Sequence, residues 1–243
     1  MSAVLTPATP HARRNDRPEP LENGDRLTAA EFLRRYGAMP HVKKAELIEG
    51  IVYRPSPVRV DVHSEPDNLI QTWLGTYASE TPGVHPATNA TVKLDIENVP
   101  QPDGILWLEE EAGGASRVDE KGYLTGPPEL IVEIAASSNS IDLHDKLRAY
   151  RRNGVKEYLV WRTVQEAFDW FALAEGDYQA RPPDARGLCR SLTFPGLVLN
   201  VPALLKRDSK TVLATLSAAF KSKAHRAFVA ELALRKKGKR LKR

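Results

Sequence analysis

Cysteine is nearly missing from this chain: among 243 residues only Cys189 carries a thiol. An intrachain disulfide framework is excluded, and so is a zinc cluster built on cysteine. The six histidines are scattered and none falls into an HExxH-type spacing. A metal bound here must therefore be held mainly by oxygen. No run approaches the roughly 18–20 unbroken apolar residues of a membrane span, and the start of the chain lacks the apolar stretch of a secretory signal. The expected setting is the cytoplasm, with no membrane partner. A large net charge is also missing, at +4 overall, but this hides an asymmetry. From Lys206 to Arg243 there are 13 Lys and Arg against 2 Asp and Glu, a net of +11; the preceding residues hold 22 against 29, a net of −7. An acidic body offers phosphate no general attraction, so phosphate chemistry on it calls for cations.

A hydrophobic content of 42% is enough to bury one full core. Residues 1–24, with Pro7, Pro10, Pro18 and Pro20 among small and charged residues, read as a disordered leader. Residues 25–206 read as the folded domain, and 207–243 as a basic helical tail. Within the domain, Thr28 and Glu31 form a capping-box pattern for a short helix ending near Gly37. Ala45–Tyr53 reads as two short strands turning at Gly50, with Glu46 on the first. Ser64 and Asp67 open a second helix carrying Leu69, Ile70, Trp73, Leu74 and Tyr77. The runs 91–96 and 105–108 read as strands of a common sheet. Leu130–Ala135 is a nearly continuous apolar run, as in a fully buried strand. A helix from about Asp142 to Asn153 links it to a strand at Glu157–Trp161, a crossover length that implies parallel pairing. Further strands are expected at 168–173 and 178–180, with the compact domain closing near Leu205. The stripe Val212, Leu216, Ala219, Phe220, Phe228 and Leu232 marks the tail helix.

Chemistry concentrates where this pattern is broken. An ionised carboxylate inside an apolar strand costs several kcal/mol, of order 2–7 for a buried polar group and more for a charge, unless a cation or donors compensate it. Glu133 stands in that position. Asp103, at the mouth of the strand 105–108, is its natural companion; two acids at neighbouring strand ends repel, and Mg²⁺ or Mn²⁺ relieves both. A buried structural salt bridge to Glu133 is the competing reading. Asp142, Lys146 and Tyr150 recur at i, i+4 and i+8 and share one helix face. Lys146 can point back over the strand end, where an ammonium offsets phosphoryl charge; an ordinary surface pair with Asp142 is the alternative.

The order of these residues carries a resemblance. Glu46-Leu47-Ile48-Glu49-Gly50, Pro102-Asp103, Glu133-Ile134 with Ser137, Asp142-x3-Lys146-x3-Tyr150-x3-Gly154-Val155-x2-Tyr158, and Phe194-Pro195-Gly196-Leu197 together resemble the Uma-two family of endonucleases over about residues 26–205. That family is similar to the PD-(D/E)xK nucleases. The resemblance implies an α/β (α+β), restriction-endonuclease-like fold, a mixed β-sheet flanked by helices. It also implies a Mg²⁺ (or Mn²⁺) site with Asp103 and Glu133 as ligands, the carbonyl near Ile134 or Ala135 as a further ligand, and Glu46 as a third acid. The general nuclease pattern has a lysine two positions after the second acid, where this chain has Ala135; Lys146 resembles the family's migrated lysine. The proline usual after the second acid is replaced here by the run Ala136-Ser137-Ser138-Asn139-Ser140. His63 matches a histidine ahead of the second helix, an accessory candidate alongside Tyr150, although a lone histidine there is more often structural.

The function these features imply is metal-dependent phosphodiester hydrolysis, with DNA as the nucleic-acid partner. Two alternatives stand beside it. A non-catalytic nucleic-acid-binding module would keep the fold and the basic tail. A protein-interaction module would use the tail's apolar stripe to dock a partner or a second copy, as a homodimer. Glu49, on the other side of an extended segment from Glu46, is expected in solvent.

Overall fold

The apolar runs and their breaks assemble around one mixed sheet. The computed structural model describes residues 18–55, 57–136 and 141–240. Helix α1 (Ala29–Gly37) is followed by a hairpin of β1 (Glu46–Ile48) and β2 (Ile51–Tyr53), then by α2 (Glu65–Ser79) and β3 (Val84–Thr88). After β4 (Val92–Lys93) come β5 (Gly104–Leu108), β6 (Arg117–Val118), β7 (Leu124–Thr125) and β8 (Leu130–Ala135). Next are α3 (Leu147–Arg152), β9 (Glu157–Arg162), β10 (Ala167–Ala174), β11 (Asp177–Ala180), β12 (Leu188–Arg190) and β13 (Val198–Asn200). Helices α4 (Val201–Leu205), α5 (Ser209–Ala219) and α6 (Lys223–Arg240) close the chain.

The main sheet runs β11-β10-β9-β8-β5-β3. Its β8 and β9 are parallel, as the crossover length requires, and its other pairs are antiparallel. Both faces are covered. Leu130, Val132, Ile134, Leu159 and Trp161 face a core shared with α2, α4, α5 and α6. Ile131, Ala135, Tyr158 and Val160 face Tyr150 on α3. Because successive strand residues point to opposite faces, Glu133 belongs with Ile131 and Ala135 on the α3 side. A smaller core joins Leu21, Phe32, Leu47, Val52 and Val99 under the β1–β2 hairpin.

Several local expectations change. Thr28 accepts from the Glu31 N–H, but the Glu31 carboxylate binds Arg34 and Arg35 instead of closing the capping box. Ser64 makes no side-chain cap; a wide turn over Val60–Ser64, with the Ser64 N–H reaching Arg59 O at 3.1 Å, leads into α2 instead. The run 91–96 yields only β4, which pairs with β7 in a small separate sheet and so does not share a sheet with β5. Alternation alone cannot specify the partner strand, and the β4 edge is taken by β7. Glu49 sits in the hairpin turn at φ 51° and is held by Arg152. Residues 1–17 of the expected leader lie outside the described residues, as do Ser137, Ser138, Asn139 and Ser140. Leu21 is 1% exposed, so packing begins ahead of position 25.

The C-terminal region is the main correction. Val212, Leu216, Phe228 and Leu232 are buried in the principal core, so the stripe that offered a docking surface is covered by the chain's own sheet and α2. The compact body thus continues past 206, because an apolar stripe next to an open core face is buried most cheaply at home. The Phe194-Pro195-Gly196-Leu197 motif serves this docking. Phe194 packs edge-on to Tyr77 and Phe228, and the Tyr77 hydroxyl donates to Pro195 O at 3.0 Å. At Gly196 (φ 93°) a Cβ would stand 2.8 Å from the His225 ring, so only glycine lets α6 seat. Leu232→Ala is accordingly expected to cost about 3 kcal/mol in urea unfolding, the usual penalty for an emptied core leucine; a freely solvated tail helix would show no such loss. No described helix is long and apolar enough to cross a membrane.

Candidate active site

The register of the sheet brings the two acids together. Gly104 pairs with Val132, and one step further Asp103 stands opposite Glu133, with both side chains on the α3 face. The Ile134 N–H donates to Asp103 Oδ2 at 2.8 Å, which ties the loop before β5 to the end of β8. Glu46 enters from β1, where its Oε1 accepts the Gln101 N–H at 2.7 Å. The turn Ile141–Lys146 and α3 then carry Lys146 and Tyr150 back over the strand end.

Lys146 sits at the centre. Its Nζ lies 3.0 Å from Glu133 Oε1, 3.1 Å from Glu46 Oε2 and 3.5 Å from Asp142 Oδ1. The expected helix pair with Asp142 exists, but it is buried with two further acids. Tyr150 donates to Glu133 Oε1 at 2.8 Å and is itself fully enclosed, so it positions Glu133 and does not face a ligand. Asp103 has its own cations: Lys44 Nζ at 3.0 Å from Oδ1 and His63 Nε2 at 3.4 Å from Oδ2. His63 therefore joins the cluster. Glu46, Asp103, Glu133, Lys146, Lys44, Asp142 and His63 all line one open cavity of about 1150 Å³. Asp142 and Lys44 are the site members that sequence reasoning did not assign. The signal for Lys44 was available, since Lys44 and Glu46 are two apart at a strand and must share a face.

The electrostatics follow from burial. Loss of water would raise the Asp103 carboxyl, but the His63 hydrogen bond and the Lys44 and Lys146 charges hold it well below the usual carboxylate range. His63 is raised in return, chiefly by its bond to Asp103. Burial pushes Glu133 up to about 8; the Lys146 ammonium pulls it down, but Asp103, Asp142 and Glu46 add to the rise. The three acids around Lys146 overcome its own burial and keep it protonated. Once Glu133 ionises, four carboxylates face two ammonium groups and one imidazole, and the cluster is then short of positive charge.

That shortage, together with an all-oxygen donor set, matches a hard divalent cation in kind. The placement is a different matter: among the described residues no three His, Cys, Asp or Glu side chains stand as a ready metal cage, and Lys44 and Lys146 already pair with these acids.

A pH dependence follows in chelator-containing buffer. Folded Glu133 keeps its proton up to about 8, whereas the unfolded group releases it above about 4.5. Folding therefore takes up a proton in that window, and stability falls as pH rises through it. Asp103 acts oppositely, its contribution being lost as pH falls below its ordinary value of 3.8. Melting curves of Glu133→Gln should decline less than wild type between pH 5 and 8, about the range bounded by those two values; parallel curves would contradict the raised carboxyl.

Residues 29–202 match a protein-family model, Uma2, described as "Putative restriction endonuclease". The chain belongs to the Uma-two family. Four solved chains are also similar. One is a crystal structure from Anabaena variabilis described as a putative nuclease belonging to DUF820, with 15% identity and a TM-score of 0.57, covering 74% of this chain and 98% of that one. At that identity the likeness concerns the fold, which is the restriction-endonuclease-like mixed sheet flanked by helices. No curated protein sequence matches. Within this Uma-two chain, the matched region contains every residue of the acidic cluster.

Proposed function

We propose that this chain is a metal-dependent endonuclease that hydrolyses phosphodiester bonds in DNA. The observation that carries the reading is the juxtaposition of Asp103 and Glu133 at neighbouring strand ends, in an open cavity, with Lys44 beside Asp103 and the buried Lys146 beside Glu133. Asp103 and Glu133 would hold Mg²⁺ or Mn²⁺, with Glu46 as a third acid and the Ile134 or Ala135 carbonyl as a further oxygen. When bound, such an ion supplies Lewis-acid stabilisation of phosphoryl charge and makes hydroxide available near neutral pH.

The chain's own groups do the rest. Asp103, kept ionised by Lys44 and His63, is an acceptor at every working pH. Lys146, kept protonated, can orient the attacking water and offset charge on the equatorial phosphoryl oxygens. Lys44 offers a second positive charge 3.0 Å from Asp103. Tyr150 fixes the Glu133 rotamer. The water oxygen would form a bond to phosphorus in line, the P–O bond to the leaving nucleotide would break, and the proton given up by the water would pass through solvent to the leaving oxygen.

The competing reading is a non-catalytic nucleic-acid-binding module of the same fold. It is favoured by Ala135 at the usual lysine position and by the ammonium groups that already pair with the acids. A cleavage assay over single-stranded, duplex and branched DNA, titrated with Mg²⁺ and Mn²⁺, separates the two. Metal-dependent nicking supports hydrolysis, and salt-sensitive binding without cleavage at any metal concentration supports the module.

A further inference from the structure

The body of this chain is acidic, yet the mouth of its cavity is not. Of the residues lining it, the acids Glu46, Asp103, Glu133 and Asp142 are buried and Asp67 is half-buried. The exposed charged ones, Lys43, Arg54 and Arg59, are all basic. Elsewhere on the surface several arginines find carboxylates, Arg148 with Asp145, Arg151 with Asp177 and Arg152 with Glu49, whereas exposed Arg117, Arg181 and Arg186 have no ion pair among the described residues. Arg59 is paired, with neighbouring Asp61 at 2.9 Å. Among the described residues Lys43 reaches only the Pro40 carbonyl at 3.5 Å, and Arg54 has no carboxylate within ion-pair distance.

Their place in the hairpin explains what they can reach. Glu46 pairs with Tyr53, so the register extended by one residue sets Ala45 opposite Arg54, and Lys43 lies two positions beyond. Lys44 and Glu46 reach the buried acids, while Lys43 and Arg54, at the open end of the hairpin, are exposed and line the same cavity. Positive charge thus continues from Lys146 and Lys44 at the floor to Lys43 and Arg54 at the rim.

The basic C-terminal helix cannot share this task at the same phosphate. Arg235 binds Ala112 O and Lys236 pairs with Glu109, beyond the Leu108 end of β5, whereas Asp103 precedes its Gly104 end. The length of that strand, roughly 16 Å at about 3.3 Å per residue, lies between.

We propose that the open end of the β1–β2 hairpin is a grip for a nucleic-acid backbone, in which Lys43 and Arg54 take the phosphates flanking the one presented to Asp103 and Glu133. The inference rests on the proposed hydrolysis only for the identity of the strand. An exposed lysine and arginine at the mouth of a cavity floored by buried acids are groups that displace counterions from a phosphodiester chain, and they do so without reading bases.

The test is anisotropy binding of a fluorescein-labelled DNA oligonucleotide to the full chain in chelator-containing buffer over a salt series. Each phosphate contact contributes about 0.7–0.9 to the slope of log K against log salt. The Lys43→Ala/Arg54→Ala variant should lose roughly 1.4–1.8 from that slope and bind at least about tenfold more weakly, while its melting curve stays unchanged because both side chains are exposed. Arg54→Lys should keep the slope. Lys223→Ala/Lys237→Ala on α6 serves as the control and should match wild type. An unaltered slope in the rim variant, an equal loss in the α6 control, or no binding by wild type would overturn the grip. The two proposals fail separately. Rim-dependent binding without cleavage at any metal concentration leaves the grip standing and removes hydrolysis. Metal-dependent cleavage with the same kcat/KM in the rim variant does the reverse.

Discussion

Asp103→Asn is expected to remove the proposed metal-dependent cleavage, by at least about a hundredfold, as for loss of a preorganised electrostatic group in a catalytic site. Asparagine keeps the shape, and its carbonyl oxygen can still accept the Ile134 N–H that now reaches Asp103 at 2.8 Å. What disappears is the charge. Lys44 and His63 then face a neutral amide, and one of the two acids proposed to hold the cation is gone. Initial rates on a DNA substrate with titrated Mg²⁺ and Mn²⁺ give the answer, and cleavage within a few-fold of wild type sinks the assignment. A second readout does not depend on turnover. His63 is raised chiefly by its hydrogen bond to Asp103, so its imidazole titration, followed by NMR, should move down in the variant. If the imidazole does not move, the Asp103–His63 contact is absent in solution.

Lys146→Ala should cost about 3–5 kcal/mol of folding stability, the penalty for removing one member of a buried charge cluster. The ammonium touches Glu46, Glu133 and Asp142 at 3.0–3.5 Å and is 4% exposed. Without it the acids repel one another in a site that water reaches poorly. Lys146→Met, which keeps most of the volume, should lose nearly as much, because charge and not packing is at stake. In the variant a divalent cation becomes the available replacement for the missing charge. A ligand that binds only the folded form stabilises by RT ln(1 + [L]/Kd), about 2.7 kcal/mol at a hundredfold excess over Kd. Mg²⁺ or Mn²⁺ should therefore raise the Tm of Lys146→Ala more than that of wild type. Equal responses, or none, mean that these acids do not form a cation site.

The site was legible to the extent that local pattern could reveal it. Glu133 is conspicuous because it breaks an apolar strand, and Asp103 because it precedes another strand after a proline. Lys146 follows from helical spacing alone. Lys44 was passed over, although it shares a strand face with Glu46, because its partner Asp103 is 59 positions away. Asp142 read as half of a surface pair for the same kind of reason: sequence separation of four defines the pair, while only packing under β8 and β9 removes it from water. The cavity mouth shows the limit most clearly. Overall charge gives an acidic body and a basic end, yet the unpaired cations beside the acids come from Lys43 and Arg54, inside the acidic part.

Periodicity and length sufficed for the parallel β8–α3–β9 unit and for the apolar stripe of the last helices, since both depend on residues a few positions apart. They could not say what covers that stripe. Burial of Val212, Leu216, Phe228 and Leu232 against the chain's own core, with Gly196 leaving room for His225, is a property of the assembled molecule. The same holds for the partner of β4 and for the convergence of four acids on two lysines. By itself the sequence determined which residues must be buried and which carry charge. Tertiary structure decided which charges meet, because Coulombic pairing and desolvation depend on distance in space, which chain position does not encode.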